Sequence, residues 1–258
     1  MHWQFIENGF SDGRTNMQAD EDLARRLVES PDFSAVRVYG WNPPAISLGW
    51  NQSEDEILHE KARNEGVDVV RRPTGGRAIL HAGELTYCVV MTVAGGTSIS
   101  EVYRHISGGL LAGLGNLGVS ASLEKSQPHF PSLYRTPDSV SCFISAARHE
   151  IKVSGRKLVG SAQRRYRSPD GREIVLQHGS ILMDPSHRSI VRYLALDENR
   201  REQMAQLLVE RTTDLSEILQ RTVSFEEVAE TLRRGMEEAW NIEFVDSPEL
   251  ISTGRAGQ

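Results

Sequence analysis

Cysteine is scarce in this sequence, and long hydrophobic runs are missing from it. Cys88 and Cys142 are its two cysteines among 258 residues. They are too few for a disulfide scaffold, so a reducing compartment is expected. No run of about 18 apolar residues occurs, and the first ten residues lack a basic region followed by an apolar one. The sequence therefore predicts a cytoplasmic protein without a membrane span or a secretory signal.

A surplus of positive charge is also missing. Lys and Arg number 29 against 35 for Asp and Glu, which gives a formal net charge of −6. This balance disfavours nonspecific binding to nucleic acid or to anionic lipid, so neither is expected as a partner. The histidines and cysteines lack the spacing of metal ligands, which argues against a zinc site. Composition near the average of globular proteins excludes disorder, collagen and coiled coil as global structures.

The pattern of apolar residues predicts a mixture of helices and strands. A helix is expected over 16–29, and strands are expected over 35–39, 45–50, 67–72, 85–92, 149–153, 157–165 and 174–183. Capping-box pairs, in which a serine precedes a glutamate by three residues, predict helix starts at Ser53, Ser98 and Ser224. Gly66 is expected to end the first of these helices, and residues 120–138 are expected to form a long loop. Because strands and helices do not alternate strictly, we expect an α+β fold.

The segment RRPTGGRAILHAGELTYCVV, residues 71–90, is the most unusual in the chain. Two glycines directly after a strand let backbone N–H groups point at a ligand. The side chains around them suit an anionic or carbonyl-bearing ligand, and they are Arg71, Arg72, Arg77 and His81. An ordinary hairpin turn with solvated arginines is the alternative. The segment has neither the spacing of a phosphate-binding P-loop nor that of a dinucleotide-binding turn.

Cys142 and Lys157 are candidates for covalent chemistry. Cys142 lies in DSVSCFIS, at the exit of the predicted loop, whereas Cys88 lies in an apolar strand as structural cysteines do. Lys157 lies at a turn into a strand, and an ammonium close to a cysteine stabilises the thiolate and lowers the pKa of the thiol. A solvated turn lysine is the alternative. His81 and His178 are candidates by residue type only.

Four ordered motifs resemble those of the biotin and lipoate protein ligase and transferase family. They are RRPTGGRAILH with ELTYCVV, then SVSCF, GRKLVGSAQRR and LQHGSILMD, and YGWNPPAISLGWNQ extends the likeness toward the amino terminus. The resemblance implies one catalytic domain over 1–258, with a core of about 3–245 and a flexible C-terminal tail. It also implies a mixed, mostly antiparallel sheet flanked by helices, similar to biotin ligases and class II aminoacyl-tRNA synthetases.

The likeness is closest to the octanoyltransferase branch of that family. Lipoate ligases that use ATP typically carry Asn-Asp where this chain has Cys142-Phe143, and the spacing from Cys142 to Lys157 resembles the branch that works through an acyl-cysteine. The resemblance implies octanoyl transfer from octanoyl-acyl carrier protein to a lysine of a lipoyl domain, such as the glycine cleavage H protein, without a cofactor. An ATP-dependent lipoate ligase, which uses ATP and Mg, and a non-catalytic acyl-binding relative remain alternatives. Ala82 replaces an aspartate common in the family, so no acid is supported there.

The resemblance also assigns roles to single residues. Cys142 is implied as the nucleophile, and Lys157 as the group that orients the acyl carbonyl and favours the thiolate. Substrate contacts are expected for Arg71, Arg72, Thr74, Gly75, Gly76, Arg77, His81, Gly160, Ser161, Ala162, His178 and Gly179, and no metal ligand is implied. Candidate walls of an apolar acyl tunnel are Tyr39, Trp41 and Tyr87. Candidates for docking acidic partner domains are Arg164, Arg165, Arg167 and the Arg71–Arg77 group.

Overall fold

A large mixed sheet forms the centre of the molecule in the computed structural model, which describes residues 2–124 and 150–246. From edge to edge, its eight strands in the described residues are β11 (Phe244–Asp246), β1 (His2–Ser11), β2 (Phe33–Trp41), β6 (Glu84–Val93), β10 (Glu173–Leu182), β9 (Arg156–Arg167), β8 (Ile151–Val153) and β7 (Ser122–Leu123). Strand β1 runs parallel to both of its neighbours, and every other adjacent pair is antiparallel. The predicted mixed, mostly antiparallel sheet is confirmed.

A smaller sheet and the first helix cover one face of the large sheet. The small sheet has the order β4 (Asp68–Arg71), β3 (Ala45–Leu48), β5 (Ile79–His81). Helix α1 (Gly13–Glu29) buries Met17, Leu23 and Leu27 in a core that also contains residues of β2, β6 and β10. The same helix contacts β3 and β4. These three layers meet over the middle strands of the large sheet, and the candidate site lies at that junction.

Two long helices pack on the opposite face of the large sheet. They are α3 (Ile99–Asn116) and α6 (Phe225–Trp240). The apolar stripe predicted for α3, namely Val102, Ile106, Leu110 and Leu114, is buried. A Cβ added at Gly235 of α6 would collide with the backbone of Gly113 in α3, so the two helices approach each other through glycines. The larger hydrophobic core contains residues of this helix pair and of the large sheet, together with residues of the small sheet.

The described residues contain further helices. They are α2 (His59–Asn64), α4 (Glu198–Arg211), α5 (Leu215–Leu219) and two 3-10 helices, Glu54–Glu56 and Pro185–Tyr193. Within the described ranges 2–124 and 150–246, no helix is both long enough and apolar enough to span a membrane.

Two of the three predicted serine caps form as expected. The Ser98 side chain accepts from Glu101 N while the Glu101 side chain accepts from Ser98 N, which completes a capping box at the start of α3. Ser224 caps α6 by accepting from Glu227 N. The capping box at Ser53 is wrong. Ser53 accepts from Asp55 N and caps only one 3-10 turn, and α2 begins later without a side-chain cap.

Some predictions fall partly or wholly on residues outside the described ranges. Residues 125–138 of the predicted loop lie outside them, and its described part includes the short strand β7. His149, the first residue of a predicted strand, and residues 247–258 of the predicted C-terminal tail also lie outside the described residues.

His187 is expected to make the stability of the protein depend on pH. It is fully buried, and burial lowers the pKa of its imidazole from 6.5 to about 4. As the pH falls, His187 therefore becomes protonated in the unfolded chain before it does in the folded protein. The stabilisation of the folded protein by neutral His187 is complete above pH 6.5 and is lost as the pH falls toward about 4. The difference corresponds to about 3 kcal/mol.

Urea denaturation of the wild type and of His187→Gln at pH 7 and pH 4.5 measures this contribution. We expect the variant to lose less of its free energy of unfolding between the two pH values than the wild type does. Replacement of the exposed His2 by Gln serves as the control and is expected to leave the wild-type pH dependence in place. Equal pH dependence in wild type and His187→Gln would contradict the assignment.

Candidate active site

The Gly-Gly turn after β4 is held against the loop that follows β3. Trp50 N donates to Thr74 O at 2.9 Å. A Cβ added at Gly49 would collide with Gly76 O, so the two loops touch through their backbones. Gly76 has a φ of +101°, which favours glycine. At Gly75, in contrast, an added Cβ would meet nothing within 4 Å, so the turn is fixed in place but open at that residue.

Arg72 fixes the shape of this turn from inside. Its side chain is 3% exposed and its guanidinium donates to Ser47 O and Ser47 Oγ at 2.8 and 3.0 Å. It also donates to Gly75 O and to Arg77 O at 2.8–3.1 Å. A planar guanidinium with five donors suits this arrangement of carbonyls. Arg72 therefore shapes the turn in addition to lining the pocket described below.

The other two arginines of the segment are also engaged within the protein. Arg71 donates to carbonyls of the 49–52 loop at 2.8–3.1 Å and pairs with Glu54 at 3.0 Å. Arg77 pairs with Glu56 at 2.7 Å. The predicted substrate contacts of both arginines remain predictions, and the contacts seen here attach the turn to the rim of the site.

A pocket lies where the small sheet, α1 and the large sheet meet. It brings together seven of the predicted substrate-contact residues, namely Arg72, His81, Gly160, Ser161, Ala162, His178 and Gly179. The lining also contains Met17, Tyr39, Trp41, Ser47, Ile79, Thr86 and Ser180. Two of the three candidate tunnel walls, Tyr39 and Trp41, are among these. The third, Tyr87, is fully buried, and its hydroxyl lies 2.6 Å from Ser161 Oγ.

His178 is held from behind by a buried carboxylate. Its Nδ1 lies 3.0 Å from Asp20 Oδ2, and its Nε2 lies 2.6 Å from Thr74 Oγ1. Burial opposes ionisation of Asp20, but hydrogen bonds from His178 and Tyr39 and the charge of Arg37 outweigh it and keep the pKa of Asp20 below its usual value. Burial lowers the pKa of His178. A neutral His178 therefore donates a hydrogen bond from Nδ1 to Asp20 and accepts one from the Thr74 hydroxyl at Nε2. The bond to Thr74 connects the Gly-Gly turn to β10.

His81 is held in a similar way by a second carboxylate. Its Nδ1 lies 2.8 Å from Glu84 Oε1 and its Nε2 lies 2.7 Å from Ser47 Oγ. The Trp41 ring stacks on the imidazole with centroids 4.1 Å apart and planes at 13°. Thr86 Oγ1 donates to Glu84 and accepts from Trp41 Nε1. Both histidines of the pocket therefore have fixed orientations, and each is paired with a buried carboxylate.

Lys157 is a buried residue of β9. Its side chain is 3% exposed, and its Nζ lies 2.7 Å from Oε1 of Glu150, which is equally buried. Lys157 is therefore not a solvated lysine, which was the alternative to a functional role. Lys157 is not among the residues that line this pocket. It lies on the same strand as Gly160, Ser161 and Ala162, which do.

The two cysteines differ in what the structure says of them. Cys142, the predicted nucleophile, lies outside the described residues, so its role stays a prediction. Cys88 is fully buried on β6, and burial raises the pKa of its thiol well above the usual value. Since the thiolate is the nucleophilic form, Cys88 is suited to a structural role.

Several charged and polar residues around the site were missed by sequence reasoning. Asp20 and Arg37 form a buried ion pair at 2.7 Å, and no local sequence pattern marks either of them. For Glu84 and Glu150, in contrast, neighbouring residues in the sequence could have indicated their partners. Glu84 follows His81 by three residues across Gly83, whose φ is +62°, and Glu150 begins a predicted hairpin whose second strand carries Lys157.

Comparison with known proteins identifies the family. Residues 12–237 match the model of the lipoyl protein ligase A/B catalytic domain. The chain belongs to this family. The expected membership in a lipoate ligase and transferase family is confirmed.

Curated relatives within the family cover almost the whole chain. The chain is 37% identical over 247 residues to the octanoyltransferase LipM of Geobacillus kaustophilus, which covers 93% of this chain and 87% of that protein. It is 39% identical over 245 residues to the octanoyltransferase LipM of Symbiobacterium thermophilum, with coverages of 92% and 86%. The octanoyltransferase LipM of Bacillus subtilis is 34% identical over 247 residues, with coverages of 93% and 87%.

Solved structures of lipoate-protein ligases share the fold. A bi-partite lipoate protein ligase from Thermoplasma acidophilum superposes with a TM-score of 0.74 at 22% identity, covering 97% of this chain and 89% of that one. A lipoate-protein ligase A bound with ATP superposes with a TM-score of 0.71 at 21% identity, with coverages of 97% and 91%. At this level of identity the likeness concerns the fold alone, and it agrees with the predicted α+β architecture.

Proposed function

We propose that this family member transfers an octanoyl group from octanoyl-acyl carrier protein to a lysine of a lipoyl domain, such as the glycine cleavage H protein. It is an acyltransferase of protein lipoylation, as its octanoyltransferase relatives are. The observation that carries the proposal is their identity of 34–39% over more than nine-tenths of this chain. The presence of Cys142-Phe143 where lipoate ligases typically carry Asn-Asp supports a transferase over a ligase.

The pocket beneath the Gly-Gly turn suits an acyl chain. Its hydroxyl and imidazole groups bond to one another and to the carboxylates behind them, so the surface they leave is mostly apolar. An octanoyl chain has about six methylenes, and burial of each contributes about 0.8 kcal/mol. Burial of the chain therefore contributes about 5 kcal/mol, which favours octanoyl over short acyl groups.

The proposed reaction has two balanced steps. In the first, the Cys142 thiolate attacks the thioester carbonyl, a new C–S bond forms, and the carrier leaves as its thiolate. In the second, the acceptor lysine amine attacks the acyl-cysteine, the amide C–N bond forms, and the C–S bond to Cys142 breaks. The nitrogen loses a proton as Cys142 is released. In this proposal the Lys157 ammonium orients the acyl carbonyl and favours the thiolate.

Hydrogen-bond donors for the developing oxyanion are proposed at the Gly-Gly turn. Backbone N–H groups at Gly75 and Gly76 lie on a turn whose conformation is fixed by Arg72 and by the 49–52 loop. A fixed donor of this kind commonly contributes about 3 kcal/mol to the transition state. The preorganised turn supports this part of the proposal, because its donors need no rearrangement during the reaction.

A basic and aromatic surface next to the turn is proposed to dock the acidic partner domains. The guanidinium of Arg164 lies over the Trp50 ring at 4.7 Å and the Tyr166 ring at 5.1 Å, and it donates to Pro73 O at 3.1 Å. Trp50 is 52% exposed. Arg165 and Arg167 both pair with Glu173, at 3.0 and 3.6 Å. Complementary charge of this kind steers association even when the net charge is unfavourable.

A nucleotide-free assay tests the proposed function. We expect intact mass to show one octanoyl adduct on the enzyme after mixing with octanoyl-acyl carrier protein without ATP. The adduct is expected to move to an added lipoyl domain, because a thioester already carries the energy for amide formation. Strict dependence on ATP with free lipoate would support the ligase alternative. Acyl binding without an adduct under either condition would support the non-catalytic relative.

A further inference from the structure

Glu150 and Lys157 form a buried ion pair at the hairpin of β8 and β9. Lys157 Nζ lies 2.7 Å from Glu150 Oε1, and the two side chains are 3% and 5% exposed. A buried ammonium is disfavoured by the loss of water around it, and a carboxylate in contact with it offsets that loss. In this pair the Glu150 carboxylate replaces water beside the Lys157 ammonium.

The backbone on both sides of this pair is fixed as well. Strands β8 and β9 pair Lys152 with Lys157 and Val153 with Arg156. On the other side, Thr213 N donates to Lys157 O at 3.0 Å. Since the main chain of Lys157 is bonded on both sides, the position of its ammonium depends on its side-chain contacts, and the contact with Glu150 is one of them.

The other charged groups around this part of β9 are bonded to one another. Toward β7, Lys152 pairs with Glu124 at 3.1 Å and lies 3.9 Å from Glu150. Toward α5 and the 3-10 helix Pro185–Tyr193, the charged or titratable groups are Arg156, His187, Arg188, Asp214 and Glu217, which are connected through ion pairs or through hydrogen bonds to Thr212. Among the charged groups described here, Glu150 contacts the Lys157 ammonium directly.

We propose that Glu150 is a positioning residue that keeps Lys157 protonated and fixes its ammonium for acyl transfer. This inference rests on the role of Lys157 in the proposed function. The carboxylate acts through Lys157 and does not itself contact the acyl group. Without it, the Lys157 ammonium lacks the carboxylate that favours its charged form and holds it in place.

The test compares Glu150→Gln, Glu150→Asp and the control Glu124→Gln, which removes the neighbouring carboxylate that pairs with Lys152. Single-turnover acylation by octanoyl-acyl carrier protein is measured from pH 5.5 to 9.5, together with the pH dependence of Cys142 alkylation by iodoacetamide. In Glu150→Gln we expect the alkaline limb of the acylation profile to move to lower pH. Acylation on that limb is expected to fall about tenfold for each pH unit of the displacement, with KM for the donor unchanged.

The remaining variants separate a positioning role from a structural one. Glu150→Asp keeps the charge and is expected to restore the wild-type pH profile, while Glu124→Gln is expected to behave as the wild type. An unchanged pH profile in a folded Glu150→Gln would overturn the proposal, and so would an equal, pH-independent loss in Glu150→Gln and Glu150→Asp. If Glu150→Gln fails to fold, a displaced profile in Glu150→Asp would also overturn it. A wild-type enzyme that forms no adduct would instead refute the proposed function itself.

Discussion

Replacement of Cys142 by alanine is expected to abolish octanoyl transfer and leave the protein folded. The acyl-cysteine mechanism needs a thiolate, and Cys88, the other cysteine of the chain, does not supply one. Cys88 is fully buried, and burial raises the pKa of its thiol well above the usual value. Cys88 lies within the smaller core and is not among the residues that line the pocket.

The measurement is intact mass after mixing each variant with octanoyl-acyl carrier protein, followed by transfer to a lipoyl domain. Cys88→Ala and Cys88→Ser are the matched controls, and both are expected to form the adduct and transfer it. Circular dichroism establishes that Cys142→Ala is folded. Transfer at the wild-type rate by a folded Cys142→Ala would refute the covalent mechanism. The acceptor lysine would then attack the bound donor thioester directly.

Many elements of the fold could be predicted because their signals are local, whereas the strands β1, β5, β7 and β11 were not predicted. The apolar stripe of α3 repeats at helical spacing, and Ser98 and Glu101 mark its start without any help from the rest of the chain. The β9–β10 hairpin is marked by strand-like segments with apolar runs on both sides of a Pro-Asp-Gly turn. Tertiary contacts agree with these local preferences, so the predictions hold.

The capping box at Ser53 failed because a tertiary contact competes for its glutamate. Glu56 Oε2 accepts from Gln52 Nε2 at 2.6 Å and from Arg77 Nη2 at 2.7 Å. The Glu56 carboxylate that the capping box requires is therefore already bonded to Arg77 and holds the Gly-Gly turn in place. A local motif predicts a helix start only where no stronger partner for its side chains exists.

The site was predicted in part for the same reason. Arg72, His81 and His178 belong to sequence motifs, and the structure brings them to one pocket. The carboxylate of Asp20 lies 158 positions from His178 in the sequence and meets it only after α1 packs on the large sheet. Its pairing with Arg37 also joins two distant elements. Such contacts depend on the assembled layers and leave no pattern in a single sequence.

Replacement of Lys157 by alanine is expected to slow acyl-enzyme formation by about a hundredfold or more, the usual effect of removing one preorganised charge or donor at a developing oxyanion. The ammonium is also expected to favour the Cys142 thiolate, so its removal raises the pH at which iodoacetamide alkylates Cys142. Lys157→Arg is expected to restore little activity, since a planar guanidinium does not fit a site built for a compact ammonium.

The experiment must separate an effect on acylation from an effect on folding, because Lys157→Ala leaves the buried Glu150 without the ammonium that pairs with it. Breaking a buried ion pair in this way typically costs about 3–5 kcal/mol. The double variant Lys157→Met with Glu150→Gln removes both charges and keeps side chains of similar size, so it is expected to fold but to remain slow. Lys152→Ala, which removes the 20% exposed lysine beside Glu124, is the matched control and is expected to acylate normally.

Single-turnover acylation and the pH profile of Cys142 alkylation together decide the role of Lys157. A slow reaction with a displaced alkylation profile assigns it to both the thiolate and the acyl carbonyl. A slow reaction with an unchanged profile restricts it to the carbonyl, since the thiolate then forms without its help. Wild-type acylation together with an unchanged profile in Lys157→Ala would remove the lysine from the mechanism, and its pairing with Glu150 would then serve only to hold β8 against β9.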